Sequence, residues 1–97
     1  MSILKARPLL NERYLLRADG FVELRIWRTP EPVRGSVHRF KYALAYVVAG
    51  VCVLRYDNEA GKGDHRHVGG VETEYRFTSP EELLADFWRD VDQWRPG

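Results

Sequence analysis

Alternation of apolar and polar residues with a period of two runs through the first two-thirds of the chain, then gives way to three- and four-residue spacing near the end. Glu12 to Ala18 and Phe21 to Thr29 flank Asp19-Gly20, a dipeptide that tolerates the positive φ of a two-residue turn, so the pair predicts a hairpin. In its second strand Val22, Leu24 and Ile26 share one face, with Phe21, Glu23, Arg25 and Trp27 on the other. Two prolines and a glycine in Thr29 to Ser36 mark a connection. A long strand is predicted over Val37 to Val48, with His38, Phe40, Tyr42, Leu44, Tyr46 and Val48 opposite Arg39, Lys41, Ala43, Ala45 and Val47. Ala49-Gly50 turns it into a returning strand, Val51 to Asp57, whose alternation groups Cys52, Leu54 and Tyr56 against Val53, Arg55 and Asp57. Short strands are expected around His65 to Val68 and Glu72 to Phe77.

The closing element has a different period. Ser79-Pro80-Glu81-Glu82 is a helix start, with Ser as N-cap, Pro at the first helical position and Glu three residues beyond the cap. Leu84, Phe87, Trp88, Val91 and Trp94 then form one apolar stripe, opposite the acidic Glu81, Glu82, Asp86, Asp90 and Asp92. The expectation is an α+β fold, an antiparallel sheet of four to six strands packed against one C-terminal helix. Within a single domain spanning 1–97, the sheet is placed at 11–77 and the helix at 79–95, after a flexible leading segment, 1–10.

Composition narrows the class. Ninety-seven residues with 44% hydrophobic content suit one folded domain rather than a disordered chain. The leading residues lack the apolar run of a signal peptide, and no stretch reaches transmembrane length, so no membrane association is expected. The one cysteine, Cys52, lies in the apolar run VCVL, which suits a reducing cytoplasm and a buried thiol. Net charge is +1, but residues 1–68 hold twelve basic against seven acidic residues, while residues 69–97 hold three against seven. That asymmetry fits either a plainly solvated surface or a basic face toward phosphates with an acidic helix turned away.

Candidate chemistry concentrates in RYDNEAGKGDHRHVGG, residues 55–70. Gly61-Lys62-Gly63 is not a phosphate-binding Walker loop, because the earlier glycine, the Ser or Thr after the lysine and the following helix are all missing. Asp57-Asn58-Glu59 lacks calcium-loop spacing, and one cysteine gives poor support for structural zinc. In an extended His65-Arg66-His67 the two imidazoles stand on one face and Arg66 on the other. With Asp57 or Asp64 they could ligate a divalent metal. Alternatively one imidazole takes a proton and the other gives one, with Lys62, Arg66 or Arg55 neutralising a phosphate, as metal-independent RNA cleavage requires. A polar loop without chemistry is the plain alternative, and the residues alone leave these readings open. His38 reads as a packed, hydrogen-bonded histidine. Phe40, Tyr42 and Tyr46 read as core rather than a base-stacking platform, with Arg39 and Lys41 on the other side of their strand.

Tyr42-Ala43-Leu44-Ala45-Tyr46, the hairpin into Leu54-Arg55-Tyr56-Asp57-Asn58, and Gly61-Lys62-Gly63-Asp64-His65-Arg66-His67-Val68-Gly69 together resemble the TumE family of toxins from bacterial toxin–antitoxin pairs. The likeness spans the first hairpin to the helix. Its most specific part is Arg-Tyr-Asp-Asn followed by His-x-His, although the intervening loop, Glu59 to Asp64, is shorter than in many members. The resemblance implies a cytoplasmic toxin inhibited by an antitoxin encoded beside it, typically a winged-helix DNA-binding protein, and makes RNA the expected target. Carried onto this sequence, the catalytic candidates are Asp57, Asn58, His65 and His67. Arg55, Lys62 and Arg66, with Arg39 and Lys41, are the phosphate contacts. No cofactor is required unless His65, His67 and Asp57 hold a divalent metal. The rival reading is a non-catalytic module that binds nucleic acid or protein.

Overall fold

In the computed structural model, which describes residues 5–96, six strands follow one another as an antiparallel meander: β1 Arg7–Arg17, β2 Gly20–Arg28, β3 Phe40–Val48, β4 Val51–Asp57, β5 His65–Val68 and β6 Val71–Glu74. One helix, α1 Pro80–Gln93, packs over β3 and β4. The expected α+β architecture is present, with the six-strand sheet at the upper end of the expected range.

Alternation decides which residues meet the helix. Val22, Leu24 and Ile26 of β2, Tyr42, Leu44 and Tyr46 of β3, and Leu54 and Tyr56 of β4 are buried together with Leu83 and Phe87 of α1. Each such side chain contributes on the order of 1.5–3 kcal/mol when fully buried. Ser79 caps α1 by accepting from the Glu82 N–H at 3.1 Å, with Pro80 beginning the helix. The helix stripe is wider than the expected one, because Leu83 is fully buried alongside Phe87 while Leu84, Trp88, Val91 and Trp94 flank them.

Element edges and one face differ from the sequence expectation. β1 starts at Arg7, so Arg7 to Leu10 of the leading segment are in the sheet, while 1–4 lie outside the described residues. The first turn is Ala18-Asp19, and Gly20 already pairs with Arg17 as the start of β2. β3 starts three residues later than expected, at Phe40; the Arg39 carbonyl still accepts the Thr29 N–H at 2.9 Å, and the His38 ring accepts the Phe40 N–H at 3.2 Å. β6 stops at Glu74, and Tyr75 and Phe77 leave the ladder to pack against the core. An irregularity in the β3–β4 ladder pairs Tyr46 with Leu54 but Val47 with Cys52, leaving Val53 as the extra residue. Alternation therefore breaks there: Val53 packs against the core and Cys52 is exposed, contrary to the buried thiol expected from VCVL. The sulfur is partly sheltered, which raises its pKa, and it donates to the Leu54 carbonyl at 3.3 Å. No helix among the described residues is long and apolar enough to cross a membrane.

Candidate functional site

The sheet face away from α1 is open, and its pairing aligns two rows of side chains. Arg25, Ala43, Asp57, His65 and Glu74 form one row across β2 to β6; Glu23, Ala45, Arg55, His67 and Glu72 form the next. The two alanines leave a low centre between charged flanks. On β2 the charges are mutually engaged: the hydrogen bond from Arg13, and secondarily the charge of Arg25 at 3.6 Å, hold the Glu23 carboxyl below the ordinary range.

At the other flank the two histidines stand on the same face, as the His-x-His spacing predicts, and their side chains are 17% and 23% exposed, sheltered yet reachable. Each Nε2 lies beside the same oxygen, Glu72 Oε1, at 3.6 Å from His65 and 3.5 Å from His67. Arg55 Nη2 stands 3.4 Å from His67 Nε2, and Lys62 Nζ stands 3.7 Å from Glu72. The Gly63 carbonyl accepts His65 Nδ1–H at 3.1 Å, a bond that leaves Nε2 as the unprotonated nitrogen of the neutral ring. Asp57 sits opposite His65 in the ladder, but its carboxylate lies against Arg55 Nε at 3.4 Å. The group that orients His65 is thus Gly63.

Glu72 escaped the sequence reading. The available signal was Gly69-Gly70: both adopt positive φ, the two-residue turn pairs Val68 with Val71, and Glu72 then falls opposite His67.

Behind this cluster a second network anchors the loop before β5. Asp64 accepts from Ser36 Oγ at 2.5 Å, His38 Nε2 at 2.7 Å and Tyr42 OH at 2.8 Å. Because His38 Nδ1 accepts from Phe40, Nε2 must carry the proton; both ring nitrogens are used, and the ring stacks on Phe77 at 3.8 Å. His38 is therefore the packed, hydrogen-bonded histidine expected. Burial first, and the bond to Asp64 second, push the Tyr42 phenol well above its ordinary range. Gly63, at φ +77°, passes so close to Gly35 that a Cβ would lie 2.8 Å from the Gly35 carbonyl oxygen. A cleft of about 540 Å³ opens alongside, lined in part by Lys62, Asp64, Arg76 and Phe77.

Not every sequence candidate joins the histidines. Asn58 is fully buried, and its amide is spent on the Tyr42 N–H at 2.9 Å and the Phe40 carbonyl at 2.6 Å. Arg66 projects toward α1, where Asp90 takes its Nε and Nη2 at 2.8 and 2.9 Å and stabilises the charged guanidinium. Asp90 also accepts from Tyr56 OH at 2.5 Å, and Asp86 from Tyr75 OH at 2.5 Å, so part of the helix's acidic side faces inward. Lys41 lies opposite the half-buried Trp27, and Arg39 is exposed just before β3. Among the described residues no three His, Cys, Asp or Glu are grouped so as to hold a metal ion.

No curated protein and no solved structure gives a significant match. A family model described as Toxin TumE matches residues 5–95, nearly the whole chain, and the chain therefore belongs to the TumE toxin family.

Proposed function

We propose that this toxin acts on RNA in the cytoplasm as an endoribonuclease that needs no metal, with His65 as general base and His67 as general acid. The reading rests on one observation above others: two imidazole Nε2 atoms meet beside a single carboxylate on an open sheet face, between Arg55 and Lys62. His65 Nε2 takes the proton of a ribose 2′-hydroxyl, whose oxygen attacks the adjacent phosphorus. The bond from phosphorus to the 5′ oxygen breaks, and His67 gives that oxygen a proton. Arg55 and Lys62 offset the charge gathering on the phosphoryl oxygens. The low floor at Ala43 and Ala45 admits a strand of RNA, with Lys41 and Arg39 as further phosphate contacts and Trp27 available for stacking. Asn58 and Arg66 serve as scaffold, and Asp57 holds Arg55. The toxin family implies an antitoxin partner, for which we propose a winged-helix DNA-binding protein.

Incubating purified protein with a long RNA tests this. Fragments ending in 2′,3′-cyclic phosphate and 5′-hydroxyl, unchanged by chelator, are expected. Growth arrest with intact RNA, lost on Arg39→Ala or Lys41→Ala, would replace the reading with a non-catalytic binding module; loss of cleavage in chelator would replace it with a metal-dependent nuclease.

A further inference from the structure

The helix layer is incomplete. α1 covers β3 and β4, whereas on the helix side of β1 only Leu10 packs against the core, leaving Tyr14 44% and Leu16 43% exposed. Between that strand and the flank of α1 runs a groove of about 550 Å³, with Leu10, Tyr14, Leu16 and Leu24 on one side and Leu84 and Trp88 on the other. The lining is apolar except for Glu12, which stands between Leu10 and Tyr14 and accepts from the Tyr14 hydroxyl, and an exposed apolar groove of this kind marks an interaction site.

We propose that this groove receives an amphipathic helix of the antitoxin, apolar along one stripe and carrying Lys or Arg at its margins. The proposal is independent of the catalytic reading above. Three features select that occupant. Strand addition to β1 is disfavoured, because Pro8 has no N–H to offer and ladder irregularities near Leu9 and Leu16 interrupt a regular edge. A helix seated beside α1 instead completes a two-helix layer over the sheet and covers the apolar walls. Acidic groups supply the charge preference: Glu12 stands within the β1 wall of the groove, and at its α1 margin Glu81 and Asp92 extend the row of Leu84 and Trp88 at three- and four-residue spacing. A second copy docking symmetrically would bring the same acidic margins against each other, which disfavours a homodimer here.

The test uses the full toxin and its full-length cognate antitoxin in titration calorimetry, with hydrogen exchange on the complex. Leu16→Glu, at an exposed position, should leave far-ultraviolet dichroism and thermal unfolding intact while weakening the complex on the order of 30-fold. Glu81→Lys with Asp92→Lys should weaken it on the order of tenfold, and Val37→Glu, on a loop elsewhere, should leave affinity unchanged. Protection on binding should fall on β1 and 81–92. Wild-type affinity for Leu16→Glu, or protection confined to β5 and β6, would overturn the proposal. A toxin that is dimeric alone and dissociated by Leu16→Glu would assign the groove to a second copy instead.

Discussion

The side chain of Asn58 accepts the Tyr42 backbone N–H at 2.9 Å and donates to the Phe40 carbonyl at 2.6 Å, fastening the residue after β4 to the start of β3 from inside the core. It does there what two further ladder bonds would do. Asn58→Ala leaves both backbone groups buried without partners, and the expected loss of stability is about 2–4 kcal/mol. Chemical denaturation measures it; a loss under about 1 kcal/mol would show that the tie contributes little.

Gly63 and Gly35 pass at a distance that admits no side chain, and Gly63 adopts φ +77°. Gly63→Ala strains the backbone and pushes the Gly35 carbonyl away, displacing both Asp64 and the carbonyl that holds His65. A destabilisation of about 1–3 kcal/mol is expected, accompanied by slower RNA cleavage than the stability loss explains. Gly50→Ala is the comparison, since at φ +78° it carries the same backbone penalty with nothing near its Cβ. Equal activity in the two variants would remove the positioning role.

Burial, followed by hydrogen bonds to Asp64, Asp90 and Asp86, raises the phenols of Tyr42, Tyr56 and Tyr75 above their ordinary value of 10.0. Their folded-state values exceed those of the unfolded chain, so their contribution is complete below about pH 10 and is lost as pH rises through the folded values. The thermal midpoint should hold through neutral pH and fall above that point, with phenolate absorbance from these three appearing together with unfolding. Ionisation of all three near pH 10 in a folded protein would contradict the assignment.

Glu72 is exposed and lies in the last short strand, so replacing it touches chemistry more than folding. Glu72→Gln should slow cleavage about 10- to 100-fold and leave thermal unfolding almost unchanged. Full activity would separate the carboxylate from the reaction.

Legibility in the sequence followed how local each feature is. Period-two alternation placed Val22, Leu24, Ile26, Tyr42, Leu44 and Tyr46 on the helix side, and Ser79-Pro80 placed the start of α1 to the residue. His65 and His67 share a face because spacing alone decides that within a strand. What depends on register across strands was not legible. Glu72 needs the β5–β6 pairing to reach the histidines, and the extra residue at Val53 turns Cys52 outward. A buried asparagine bonded to backbone and an arginine clasped by Asp90 look, in sequence, like the polar members of a reactive loop. Only the packing separates Asn58 and Arg66 from the residues on the open face.

The central claim is that the histidine pair performs the reaction, and the initial rate of RNA cleavage by purified His65→Ala and His67→Ala tests it most directly. Each substitution should lower the rate about 10²- to 10⁴-fold, with thermal unfolding close to that of the parent protein. Cleavage at the parent rate by both variants would contradict the account.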